Sequence, residues 1–256
     1  MSDLKWINDS AFELGESYDL LKQYNSNIVD LVVTSPPYFN QRVEYAEYKD
    51  LNDYLDQIGA ALNECQRLLR HSHIMAVNIG QDREVDLPAY VSMLLQNMGL
   101  KYIDTICWDK NSEIGMRGNF LNSQMYYPNF RWEPILIYQK PPLVTVVGKP
   151  MSEEDFPKFA MEDTPFISSV LRTNLWQVTP ERNSWHPAPY PEQLVEFIIR
   201  CYTKPRQVVL DPYGGSGTTA VVAERLHRKY LTFERNREYY DKAIQRIKSQ
   251  NLTLGL

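Results

Sequence analysis

Apolar positions recur along this chain with two different periods. Residues 51, 54, 55, 58, 62, 65 and 69 fall on one face at helical spacing and predict a long helix that ends in the basic turn Arg67-Leu-Leu-Arg70. Around it lie short β-rich runs: Asp30-Leu-Val-Val-Thr34, Ile74-Met-Ala-Val-Asn-Ile79, Tyr102-Ile-Asp-Thr-Ile-Cys-Trp108 and Pro134-Ile-Leu-Ile-Tyr138. Strands that are apolar almost throughout are buried on both faces. Alternating with helices, they predict a parallel sheet covered on each side, an α/β fold.

The C-terminal third is the most regular. Gln207-Val-Val-Leu-Asp211 reads as a strand, a glycine-rich loop follows, Thr218 to His227 reads as a helix, and Tyr230-Leu-Thr-Phe-Glu234 reads as the next strand. In such a βαβ unit the loop stands at the carboxyl end of its first strand, where open α/β sheets place ligands. Asn236 to Ser249 carries Tyr239, Tyr240, Ala243, Ile244 and Ile247 at helical spacing and is expected to pack back on the sheet. From about 111 to 185 the periodicity weakens, glycine and proline punctuate the chain, and Trp132, Trp176 and Trp185 occur. A long aromatic, irregular stretch in a compact α/β domain suits a binding region better than a packing element. The expected organisation is one domain over 1–256 with an inserted region at roughly 111–183.

Composition narrows the classes. With 256 residues, 43% of them hydrophobic, the chain can bury one substantial core. It has neither a long apolar span nor a charged-then-apolar leader, so a soluble, cytoplasmic protein without a membrane partner is expected. Cys65, Cys107 and Cys201 are widely separated and odd in number, and His71 and His73 have no nearby Cys or His pair; no metal site is expected. A net charge of −5 argues against nonspecific coating of nucleic acid but leaves room for a local basic face, with Arg42, Arg117, Arg131, Arg172 and Arg182 as candidates.

Two loops carry the chemistry. In Asp211-Pro-Tyr-Gly-Gly-Ser-Gly-Thr-Thr219 the glycines let backbone approach a ligand, and Thr218 stands where a phosphate-binding loop would place lysine. Gly215-Ser-Gly-Thr-Thr-Ala220 fits the dinucleotide pattern, and Glu234 is spaced to meet ribose hydroxyls, so a nicotinamide enzyme stays open on this pattern alone. Asp211 discriminates: a carboxylate before the loop opposes a pyrophosphate but suits the ammonium of S-adenosylmethionine. Far upstream, Thr34-Ser-Pro-Pro-Tyr38 follows a buried strand. The prolines stiffen the turn and remove two donors. Ser35 Oγ and the Pro36 carbonyl can accept from an exocyclic NH₂, and Tyr38 offers a ring to the face of the same base.

Together and in this order, the loops resemble the catalytic and cofactor motifs of the β group of DNA amino-methyltransferases, in which the catalytic motif precedes the cofactor motif. Asp211–Thr219 is similar to the family's D-P-F-x-G-S-G-T-T, with Tyr213 in place of phenylalanine. The resemblance implies a Rossmann-like S-adenosylmethionine-dependent fold with a mostly parallel sheet. It implies Ser35, Pro36, Pro37 and Tyr38 as the catalytic loop, and Asp211, Pro212, Tyr213, Gly215, Ser216, Gly217, Thr218, Thr219 and Glu234 as cofactor residues. Trp185-His-Pro-Ala-Pro-Tyr-Pro191 and Asn8-Asp9 also resemble family segments, which adds His186, Tyr190 and Asp9 to the cofactor set. The implied substrate is a base flipped out of double-stranded DNA. Members with Ser at the first catalytic position usually modify cytosine N4, those with Asp or Asn adenine N6, so Ser35 favours cytosine. Residues 111–183 would hold target recognition. The family relation leaves open a cognate restriction endonuclease, a homodimer, and, as a different class, a noncatalytic DNA-binding module.

Overall fold

The computed structural model describes residues 4–39, 48–111, 130–142, 163–170, 173–181 and 185–254. Its elements in chain order are β1 (Ala11–Leu14), α1 (Ser17–Leu21), β2 (Val29–Thr34), α2 (Leu51–Leu68), β3 (Leu69–Asn78), α3 (Leu87–Asn97), β4 (Lys101–Asp109) and β5 (Trp132–Gln139). After these come α4 (Thr164–Val170), β6 (Leu175–Gln177), α5 (Glu192–Tyr202), β7 (Val208–Asp211), α6 (Thr218–Arg225), β8 (Lys229–Glu234) and α7 (Arg237–Leu254). The strands form one sheet in the order β1-β8-β7-β2-β3-β5-β4-β6.

Pleating sorts the side chains of each strand to opposite faces. Leu31 and Val33 of β2 enter the core shared with α5, α6 and α7, whereas Val32 enters the core shared with α1, α2 and α3. Helices therefore cover both faces, which is why β2 is buried along its whole length. The apolar face predicted for α2 packs inward through Tyr54, Ile58, Leu62 and Cys65, and Asp50 caps its first turn by accepting from the Asp53 amide. The helix stops at Leu68; Leu69 and Arg70, read in the sequence as its basic end, open β3 instead.

The sheet departs from a wholly parallel one at β5, which runs antiparallel to both β3 and β4 between which it lies. β5 and β6 both fall inside 111–183 and both belong to the sheet. The rest of that stretch includes 112–129, 143–162, 171–172 and 182–183, which lie outside the described residues. Of the candidate cations, Arg42, Arg117, Arg172 and Arg182 also lie outside them. Arg131 is engaged: its Nε and Nη2 meet Asp109 Oδ1 and Oδ2 at 2.9 and 3.0 Å, bridging the end of β4 and the start of β5. Among the described residues no helix is long and apolar enough to cross a membrane. Burial pushes the Cys65 thiol up and the Cys201 thiol to about 12, so both behave as packing groups.

Candidate active site

β2 pairs with β7 in parallel, Leu31 beside Val209 and Val32 beside Leu210. This pairing brings the Ser-Pro-Pro-Tyr loop and the glycine loop to the same sheet edge, at the point where the chain turns outward in opposite directions from β2 and β7. Thr34 Oγ1 donates to Asp211 Oδ1 at 2.9 Å across 177 positions of sequence. Because β4 and β6 run with the main set and β5 against it, the carboxyl ends of β4 and β6 and the amino end of β5 all reach that edge. A cavity of about 720 Å³ opens there, within the size range of small-molecule sites.

Ser35, Pro36, Pro37, Tyr38, Asp211, Pro212, Tyr213, Gly215, Ser216, Thr218, Thr219, Glu234, His186 and Tyr190 all line this cavity. Two expected cofactor residues do not. Gly217, at φ 77°, turns the chain into α6, and a Cβ there would lie 3.1 Å from Ala243 Cβ of α7; its place is a packing one. Asp9 is exposed ahead of β1, beside the amino end of β8, where Lys229 Nζ donates to the Asn8 carbonyl and the Tyr230 amide to Ser10 Oγ. It stands at the opposite edge of the sheet. From the N-terminal segment it is Gly15, Glu16 and Ser17, after β1, that reach the cavity.

Asp211 is 3% exposed and accepts from Thr219 Oγ1 at 2.6 Å, the Tyr213 amide at 3.0 Å and Thr34 Oγ1. Burial outweighs these bonds and pushes its carboxyl up to about 6, with the charge of Glu234 adding to the rise. Glu234 is also raised by burial; the Asn236 amide holds its Oε1 at 2.7 Å and the Gly215 amide its Oε2 at 2.9 Å. Asp211 Oδ1 already accepts two bonds, but Oδ2, with the Thr219 bond alone, and the Glu234 carboxylate still have accepting capacity to offer. Two partly desolvated acids at one loop disfavour a pyrophosphate and favour a cationic ligand with a diol.

Shape and satisfaction also fit such a ligand. Gly215, at φ 49°, lies so close to His186 that a Cβ would be 3.0 Å from Nε2, so the loop backbone is bare toward the histidine. His186 is held by Tyr239 at 4.8 Å between ring centroids, and burial lowers its pKa, keeping the ring neutral. The Tyr190 hydroxyl is buried without a hydrogen-bond partner. Burial and the charges of Asp211 and Glu133 push this phenol well above its ordinary value, so it faces the cavity as a neutral donor awaiting an acceptor.

Ser35 Oγ lies 3.0 Å from Tyr38 Oη, and that hydroxyl donates to Glu133 Oε2 at 3.0 Å, with Asn78 Oδ1 at 3.3 Å. The Tyr38 ring rests on Gly80, where a Cβ would come within 2.6 Å of it. Sequence reasoning gave Tyr38 only a ring to offer and overlooked Asn78, Lys110 and Glu133. Their signal was a polar residue at the end of an apolar strand, in Met75-Ala-Val-Asn78, and a lone acid heading another, in Trp132-Glu-Pro-Ile135.

Residues 29–245 match the DNA methylase family. The chain belongs to that family. It is 25% identical over 93% of its length to the type II β methyltransferase M.BslI of Bacillus sp. (strain NEB-606), and it spans 28% of that longer relative. In fold it is similar to the PvuII DNA methyltransferase (cytosine-N4-specific), with a TM-score of 0.72 at 22% identity over 96% of this chain and 95% of that one. It is also similar to a DNA modification methylase of Thermus thermophilus, solved in complex with S-adenosyl-L-methionine: TM-score 0.69, 24% identity, 93% and 95% coverage.

Proposed function

We propose that this DNA methylase transfers the methyl group of S-adenosylmethionine to the exocyclic amine of a base flipped out of double-stranded DNA, with cytosine N4 as the target. The observation that carries this reading is the meeting of the two loops in one cavity, tied by Thr34 and Asp211. When bound, S-adenosylmethionine supplies an electrophilic methyl group on a sulfonium. Asp211 receives its ammonium, Glu234 its ribose diol, and Gly215 and Tyr213 line its seat.

Ser35 Oγ and the Pro36 carbonyl accept from the two amine hydrogens, which turns the nitrogen lone pair toward the methyl group. Orientation of this kind in a water-poor pocket raises the rate without a covalent enzyme intermediate. The resemblance to family members with Ser at the first catalytic position, here Ser35, supports cytosine over adenine. Residues at roughly 111–183 are the natural home of sequence recognition, and the activity suits a restriction-modification pair or an orphan methylase.

Incubation with DNA and methyl-labelled S-adenosylmethionine, followed by digestion to nucleosides, should place the label in N4-methyldeoxycytidine. Label in deoxyadenosine alone would overturn the base assignment and leave the enzyme class standing. Unlabelled DNA would overturn the function.

A further inference from the structure

Glu133 plays no part in the reading above, yet its carboxylate lies directly behind the catalytic loop. Its side chain is 8% exposed and meets groups from four elements. Tyr38 comes from the loop after β2. Asn78, at the end of β3, donates Nδ2 to Glu133 Oε2 at 3.2 Å and to the Pro134 carbonyl. Lys110, just beyond β4, pairs with Oε1, and Tyr190, before α5, feels the carboxylate's charge.

Counting protons fixes the polarity of this cluster. The Tyr38 phenol has one proton, and a carboxylate is a stronger acceptor for it than the Asn78 amide oxygen. With that proton directed at Glu133, the Tyr38 oxygen is left to accept from the Ser35 hydroxyl. The lone pairs of Ser35 are then free for the cavity, and Ser35 is an acceptor there.

We infer that Ser35, Tyr38 and Glu133 form a proton relay that drains the proton of the methylated amine to Glu133, an inference that rests on the methyl-transfer reading. The base nitrogen forms its bond to the methyl carbon as the carbon–sulfur bond breaks, with that electron pair remaining on sulfur. The nitrogen is then cationic and strongly acidic. Its N–H bond breaks, the electron pair returns to nitrogen, and the proton passes to Ser35 Oγ while the Ser35 proton moves to Tyr38 Oη and the Tyr38 proton to Glu133 Oε2. Both hydroxyls are restored, and the net change is one proton on Glu133, which leaves to water before the next turnover. Positive charge on nitrogen begins to develop in the transition state, so the relay acts there too, through preorganised dipoles ending in a fixed anion.

Two surroundings suit this role. Lys110 Nζ pairs with Glu133 Oε1, which fixes the carboxylate and leaves Oε2 turned to the phenol. Burial and Glu133 push the Tyr38 phenol well above its ordinary value, so Tyr38 passes a proton without standing as a phenolate.

Glu133 is thus a positioning residue that acts through Tyr38 and Ser35. The test is single-turnover methyl transfer with saturating cofactor and DNA. Glu133→Gln keeps size and an acceptor oxygen but takes up no proton; its rate should fall roughly 10²-fold or more, the range of acid–base assistance, with cofactor affinity unchanged. Tyr38→Phe, which keeps the ring, should fall to a similar degree, and the double variant should be no slower than the slower single one, because both cut the same chain. A solvent deuterium effect on the wild-type rate should vanish in both. Should Glu133→Gln fail to fold, Tyr38→Phe with the isotope effect carries the test. Wild-type rates in either variant, or losses that multiply in the double variant, would overturn the relay while methyl transfer stood. An absence of transfer in the wild type would instead strike the functional reading itself.

Discussion

At the scale of the residue, Asp211 sets a pH dependence whose sign can be worked out. Its folded-state value, raised from 3.8 to about 6, means that the folded protein holds this proton more tightly than the unfolded chain. The free protein therefore loses stability as pH rises across that window, and the effect is level above it. A bound ammonium reverses the preference by favouring the carboxylate. S-adenosylmethionine affinity should rise from about pH 5 to about pH 7 and then plateau, with proton release on binding near about pH 5.5; calorimetry in two buffers of different ionisation enthalpy measures both. Glu234→Ala should cost about 1.5–3 kcal/mol of cofactor binding for each charged hydrogen bond lost, and unchanged affinity in the folded variant would remove Glu234 from the ribose site. Gly80→Ala probes Tyr38 from behind, since its Cβ would press within 2.6 Å of the ring. Methyl transfer should fall well below the wild-type rate while cofactor affinity holds; an unaffected rate would mean that the ring position is immaterial.

Among elements, α7 steadies the glycine loop. Arg246 donates Nη1 to the Ser216 carbonyl and to Thr218 Oγ1, both at 3.1 Å, and Nη2 to Glu192 of α5 at 2.6 Å. Arg246→Ala should lower cofactor affinity several-fold and stability by about 1–3 kcal/mol, read by calorimetry and thermal melting. That the final helix packs back on the sheet was legible from the spacing of Tyr239 to Ile247; that one of its charged residues grips the loop was not, because a helical period reports which face is buried and says nothing of where a long polar side chain reaches. The βαβ unit from β7 to β8 and the strand β2 were equally plain, since their strands are short, largely apolar runs between turns, and β4 was legible from its β-branched and aromatic residues. β5 was visible as a strand, but its direction was not: Trp132–Gln139 carries the same apolar signature whichever way it runs, and only the β3 and β4 partners decide. The same blindness hid Glu133, whose role follows from an antiparallel strand presenting its first residues at the edge where its neighbours end. α3 went unread although Asp86 and Pro88 stand where a cap and a first-turn proline belong.

In the whole molecule, the cavity borrows residues from strands and loops across one sheet, so its integrity and that of the core are a single property. Thermal unfolding followed by a site-located probe such as Trp108 and by far-ultraviolet circular dichroism should coincide, and cofactor at about 100-fold over Kd should raise stability by about 2.7 kcal/mol. Separate transitions would show that the site melts as its own unit. The pairing of β2 with β7 has a temporal side as well. On the ribosome the Ser-Pro-Pro-Tyr loop emerges well before Asp211 and Glu234. Until then β2 exposes an unpaired edge, and contacts so distant along the chain are slow to form. A nascent or prematurely terminated chain thus holds one wall of the cavity and lacks the other, so a fragment released before Glu234 should bind no S-adenosylmethionine, and the interval of synthesis between β2 and β7 is one in which a chaperone has most to shield.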